Sequence, residues 1–376
     1  MADRAELAIV TAGEGGGAVT TPEQPSELEL MRPQTLGRLA EDGVLSMADV
    51  SYLAKVSPST LSRLWNDDSW LERVSGATLQ QLIGVVPGLA EYVTLRSYAS
   101  RLTAAARACG EAGIPVRAEG LRELLAAGCS AHHVSTALEA AHSVMRLDVR
   151  AAVLNLSHCW GNTRDAALEA LFVGPGGLLI DPHPLITKAM HLVDILVRDT
   201  NSLHATMGYG ILVHKLTKLT GAVPADVSPA ARKRSSAFTY RSGVIGILLH
   251  DDDVDAAEAY RRSLDSNPLL RRNELWSMAT YCSDIPPTLD FSLPTKGILW
   301  RTTTEIVQDI RGRNDAYLHY LLTAAIPVML EHDPTFGQKR PLLVETVRDR
   351  LDRDADRRTQ RAGNALVDLI GEVGSG

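Results

Sequence analysis

A mostly α-helical protein is what this sequence predicts, with an N-terminal helix-turn-helix domain followed by a large helical body. Three observations carry that prediction. Apolar residues recur at i, i+3 and i+4 through successive segments, the spacing that gathers them on one helix face. Ser and Asp caps and Gly stops punctuate those segments at helical lengths. Aromatic residues make up only 5% of the chain, a poor supply for the strands of a sandwich or barrel. Strand candidates are confined to Gly177–Ile180 and Gly243–Leu249, both short.

Taken in order, residues 1–34 read as a flexible arm, with Gly13-Glu14-Gly15-Gly16-Gly17, Thr20-Thr21-Pro22 and few large apolar groups. Residues 35–95 form the compact helix-turn-helix domain. Residues 96–160 are a helical linker with a second candidate pair of that kind, and 161–376 a helical body for dimerisation and regulation. The spacing predicts helices over Ser97–Cys109, ending at Gly110, and Glu119–Ala127, ending at Gly128. It predicts others over Ala131–Leu147, Pro184–Val197, Tyr209–Leu219, Asp255–Leu264, Thr302–Ile310, Asp315–Leu330 and Pro341–Leu351.

Composition narrows the class. Hydrophobic residues at 45% and charged residues at 22% fit a globular chain and exclude a wholly disordered one. No apolar run approaches the ~18–20 residues of a membrane span, and no apolar segment follows the N-terminal charges as a secretory signal requires. The four cysteines, Cys109, Cys129, Cys159 and Cys282, stand apart without CxxC, which suits a reducing cytoplasm.

The informative stretch runs from Met47 to Asn66. Val50, Leu53 and Ala54 make one apolar face, and Val56, Leu61 and Leu64 make a second after a tight break. Ser51 is small where two helices cross closely. Ser57 suits an N-cap and Pro58 the first helical position, so a new helix begins there. Two short helices joined by a three-to-four-residue turn make a helix-turn-helix, whose second helix enters the DNA major groove.

The series Asp49-Val50, Ala54, Val56-Ser57, Thr60-Leu61-Ser62-Arg63 and Asn66 resembles the headpiece of LacI-type repressors and, more loosely, of Cro and phage repressors. Ser75-Gly76-Ala77-Thr78-Leu79-Gln80-Gln81-Leu82 fits the next helix of that headpiece. The resemblance covers about 40 residues. It implies phosphate contacts from Ser57 and Thr60, base-edge contacts from Pro58, Ser59 and Arg63, and a place for Asn66 in the same interface. Arg63 suits guanine, because a guanidinium bonds both O6 and N7. Lys55 stands where the family usually has Gly, a left-handed position costing roughly 1–2 kcal/mol for other residues. After Val86-Pro87-Gly88 the family's hinge helix and sugar-binding domain do not follow.

Charge gives this module little help. Residues 36–96 hold five basic side chains (Arg38, Lys55, Arg63, Arg73, Arg96) against seven acidic ones, and the whole chain is at −7. Phosphate neutralisation supplies most nonspecific DNA affinity, so a dimer and a basic element elsewhere are expected to add the rest. Leu121–Leu138 repeats the cadence, with Gly128 in the turn, Ser130 as cap and His132 and His133 on the second helix; packed core helices are the plainer reading. Arg232-Lys233-Arg234, reinforced by Arg241, reads as an exposed loop suited to phosphate or simply to solvent. Arg261-Arg262 and Arg271-Arg272 read as helix-surface charge.

Other groupings point away from chemistry. Cys129, His132, His133, His142, His158 and Cys159 contain one close pair where zinc needs four converging ligands, so no metal is expected. Asp251–Asp255 precede a helix and read as capping charge rather than a cation site. Gly174, Gly176 and Gly177 lack the spacing and lysine of a phosphate loop and read as a turn. With no catalytic motif, the sequence predicts a non-enzymatic, cofactor-free regulator. It would be a repressor that binds an inverted-repeat DNA operator as a homodimer. Seven of the 38 basic residues are lysine, an arginine bias of high-GC genomes that fits actinobacterial, actinophage or plasmid regulators by analogy. Two alternatives stand beside it: a DNA partition, replication or telomere-associated protein, and a nucleic-acid enzyme using the carboxylates of Asp251–Asp255.

Overall fold

The structure is a computed structural model that describes residues 32–172, 179–196, 202–223, 227–284, 292, 295–353 and 355–373. Most of the expected arm and the Gly174–Gly177 turn lie outside the described residues. Among those described, the fold is mostly helical and has no strand. It divides into two compact units, one up to Arg96 and one from Ser97 onward.

The first unit contains α1 (Leu36–Asp42), α2 (Met47–Ala54), α3 (Pro58–Trp65), α4 (Trp70–Arg73), α5 (Gly76–Ile83) and the start of α6 (Leu89–Glu111). Each short helix begins where a small oxygen side chain can satisfy an unpaired backbone N–H. Thr35 caps α1, Ser57 caps α3 and Ser75 caps α5, while Ser46 and Asp49 form a reciprocal capping box on α2. Leu36, Val50, Leu61, Trp70, Leu82 and Leu89 are wholly buried between these helices. The Trp70 indole donates to the Gln34 carbonyl at 3.0 Å, and the Gln34 N–H donates to the Tyr92 hydroxyl at 2.8 Å. Gln34 therefore belongs to this core rather than to the arm.

The second unit opens with α7 (Ala118–Ala126), α8 (Ala131–Met145), α9 (Val149–Ser157), α10 (Asn162–Phe172) and α11 (Pro182–Leu196). It continues with α12 (Leu203–Thr220), α13 (Arg234–Asp251), α14 (Val254–Ser266), α15 (Pro268–Cys282), α16 (Lys296–Gly312) and α17 (Asp315–Tyr320). A π-helical turn at Leu321–Ala325 leads into α18 (Ile326–His332), followed by α19 (Arg340–Leu351) and α20 (Arg357–Val373).

Three expectations are corrected here. Gly243–Leu249 is helical, within α13, and Leu179-Ile180 is not a strand. The apolar run around Gly243–Leu249 is buried on several sides, so helical periodicity is erased. A Cβ on Gly246 would stand 2.8 Å from the His214 carbonyl oxygen, so this glycine lets α13 lie against α12. The helix predicted to stop at Gly110 passes through it to Glu111, and the left-handed turn falls at Gly113 (φ 89°).

Two polar networks sit inside the second unit. Arg241 donates to Glu274 at 2.8 Å and to the Tyr320 hydroxyl at 3.0 Å, and Tyr260 donates to Glu274 at 2.6 Å. Lys215, only 2% exposed, donates to Asp165 at 2.9 Å and to Glu169. Lys218 also donates to Glu169, and the Tyr281 hydroxyl donates to Asp165 at 2.8 Å. Burial alone would lower the Lys215 pKa; Asp165 and Glu169 outweigh it and hold the ammonium above its ordinary range. Burial likewise works against the charge of Asp165 and Glu169, and Lys215 more than reverses it.

Candidate functional site

In the first unit, α2 and α3 are joined by Lys55, Val56 and Ser57. Lys55 takes the left-handed conformation (φ 55°, ψ 36°), which turns the chain sharply enough for α3 to pack on α2. The Ser51 hydroxyl donates to the Val56 carbonyl at 2.7 Å and braces the bend from inside. Val50, Ala54, Val56, Leu61 and Leu64 all face the core. Leu53 does not. It is 53% exposed, because a helix as short as α2 buries only the i, i+4 pair Val50 and Ala54, and Leu53 lies to one side of that line.

Packing Leu61 and Leu64 inward turns the opposite side of α3 to solvent. Ser57, Pro58, Ser59, Ser62, Arg63 and Asn66 are exposed, and Thr60 is half-buried. Ser57 accepts from the Thr60 N–H at 3.2 Å and lies 2.8 Å from the Thr60 hydroxyl and 3.0 Å from that of Ser59. The Arg63 Nε donates to the Ser59 carbonyl at 3.3 Å, a weak tether that leaves the rest of the guanidinium available. The structure thus brings the residues singled out on this helix onto one polar face, with hydroxyls at its N-terminal end and a cation one turn on.

The second candidate pair is placed differently. Gly128 makes the expected left-handed turn (φ 92°), and Ser130 caps α8 by accepting from the His133 N–H at 3.2 Å. Most of α8 is then covered by α9, α10 and α11, with Val134 through Leu138 all buried. His132 and His133 are half-buried; His132 lies 3.2 Å from Arg101 and stacks 4.9 Å from Tyr98. Burial first, then the neighbouring Arg101, lower the His132 pKa. This is a core helix and offers no continuous polar face.

Arg232, Lys233 and Arg234 are exposed, the first two in a loop and the third opening α13. Arg241 does not reinforce them. It lies one to two turns further into the helix, buried against Glu274, because a buried carboxylate there requires it. Arg261 pairs with Glu258 and Asp265, and Arg271 with Glu331, as surface charge does. The acidic run is used locally: Asp253 caps α14 by accepting from the Asp255 N–H at 2.8 Å, and Asp252 accepts from the Ala316 N–H at 2.7 Å. Asp255 pairs with Arg358. Among the described residues no three His, Cys, Asp or Glu side chains could hold a metal ion. No helix among them is long and apolar enough to cross a membrane.

What the sequence reading passed over is a cavity of about 250 Å³ in the second unit. Its walls come from α10, α12, α13, α15, α16 and α17, and include Asp165, Glu169, Tyr281, Glu305 and Asp309. The sequence signal was carboxylates at i, i+4 within otherwise apolar helical runs, Asp165 with Glu169 and Glu305 with Asp309. Compared with models of known protein families, with curated proteins and with solved structures, the chain matches none.

Proposed function

We propose that the chain is a sequence-specific DNA-binding transcription regulator whose first unit is a helix-turn-helix domain, with α3 as the recognition helix. The observation that carries this reading is the exposed face of α3, where Ser57, Pro58, Ser59, Arg63 and Asn66 stand clear of the core on a helix fixed by the turn at Lys55. In a major groove, hydroxyls at the start of such a helix bond phosphate oxygens, and an arginine one turn later reaches a guanine edge. The positive end of the α3 dipole favours the same anion. Ser130, His132 and His133 have no place in this interface, since α8 is a core helix. Arg232 and Lys233, exposed in the loop before α13, fit a phosphate contact.

The charge balance refines the proposal. A module with more acidic than basic residues binds nonspecific DNA weakly, so useful affinity must come from base contacts and from two modules acting together. A homodimer on an inverted repeat, about one helical turn between half-sites, meets that need, and occlusion of a promoter by such a complex makes it a repressor. The test is selection of bound fragments from source-genome DNA by the full chain, sequenced beside an Arg63→Ala control. One palindromic motif near promoters, lost in the control, is the expected result. Long repeat arrays would instead indicate a partition or replication protein, and no enrichment would overturn the proposal.

A further inference from the structure

The cavity in the second unit has a charge balance that selects its ligand. Each lysine and arginine of its wall, with the adjoining Lys215, already serves a carboxylate. Lys215 is bound to Asp165 and Glu169, Lys218 to Glu169, and Arg241 to Glu274. Arg313 donates to Asp309 at 3.0 Å. Among the carboxylates of the wall Glu305 is the exception: it accepts only from the neutral Asn162 amide, at 3.1 Å, and forms no ion pair among the described residues. Burial raises the Glu305 pKa first, and repulsion from Asp309 and Asp284 adds to it, with no cation to oppose the shift. An anionic ligand would find every lysine and arginine of the wall taken. A cationic one would complete the set.

The rest of the wall describes the body of that ligand. Trp160 and Tyr281 line the cavity with ring centroids 5.1 Å apart in an edge-on arrangement. Tyr317 lines it too, already under the Arg313 guanidinium at 5.4 Å. Aromatic faces beside a carboxylate are the usual setting for an organic ammonium group. Trp160 is only 7% exposed, and its indole N–H has no acceptor among the described residues. A buried donor of this kind calls for an oxygen from elsewhere. A bare metal ion does not fit, because the carboxylates here do not converge as a metal requires.

We infer that this cavity binds a small organic ammonium compound carrying an oxygen acceptor, with its charge on Glu305 and its apolar body against Trp160 and Tyr281. The volume, about 250 Å³, sits just below the ~300 Å³ at which small-molecule pockets begin, so the ligand is compact. The site lies wholly within the second unit and does not depend on the DNA-binding reading.

Three probes of one shape and different charge test it: phenylethanolamine, phenylethylene glycol and mandelate, titrated into the full chain by calorimetry. The amine should saturate a single site, with the diol at least about tenfold weaker and mandelate not binding. Glu305→Gln, which keeps the shape and removes the charge, should weaken the amine about tenfold and leave the diol unchanged. Ala166→Phe, at an exposed position on the cavity wall, should abolish binding of the amine and the diol without lowering the Tm of the free protein. Equal affinity for the three probes, equal amine affinity in Glu305→Gln, or no saturable amine binding at all would overturn the inference.

Discussion

Arg63 is the side chain on which a specific outcome depends most sharply. It is exposed, one turn beyond the hydroxyls of Ser57 and Thr60, and held only by a long bond to its own helix. On the proposed reading Arg63→Ala costs about 1–3 kcal/mol at the correct site, with relaxed preference at one base pair. Binding isotherms on site and scrambled duplexes measure both. Lys55 makes a different kind of prediction. Its left-handed backbone costs roughly 1–2 kcal/mol in any residue with a Cβ, so Lys55→Gly should stabilise the first unit, less the entropy glycine loses on folding. A net gain near 1 kcal/mol in urea unfolding is expected. A loss would mean that the Lys55 side chain makes a contact worth more than the strain.

At the level of elements, some capped helix starts were readable and others, such as Asp148 before α9 and Asn267-Pro268 before α15, were not. Ser57-Pro58 and Ser130 mark the starts of α3 and α8 in the sequence, and both begin there. α13 gave no periodicity, because apolar and small residues surround it; its glycines serve a close crossing with α12 rather than a turn. α10 and α15 were missed too, and they carry Asp165, Glu169 and Tyr281. Their polar residues look like isolated exceptions until α12 brings Lys215 against them. That ammonium is the hub of its network, so Lys215→Met should cost about 3 kcal/mol by removing the one cation from Asp165 and leaving Glu169 to Lys218 alone. A guanidinium-denaturation midpoint little changed from wild type would show that the two carboxylates are reached by water.

For the whole molecule, the second unit is predicted to be sensitive to mild acid. Burial first, then the neighbouring Lys215 charge, push the His214 pKa from 6.5 to about 4. Below 6.5 the unfolded chain takes up a proton that the folded one refuses, so stability is full above that pH and falls towards pH 4. The loss is about 2–3 kcal/mol across that window. Asp165 and Glu169, held below their ordinary values, add a further loss as pH drops through the carboxylate range. Denaturation curves from pH 7 downward should show this decline, with the upper part flattened in His214→Gln.

The division of the chain makes the central claim directly testable. Mounting a photo-reactive benzoyl-phenylalanine at Ser62, exposed in the middle of α3 and outside the set of proposed contacts, places the probe on the face said to enter the groove. Irradiated with operator fragments, the full chain should form a covalent protein–DNA adduct from this position, mapping within one half-site. A chain that retards the DNA normally yet gives no adduct from Ser62, or one that retards no DNA at all, would contradict the assignment of α3 as the DNA-reading helix.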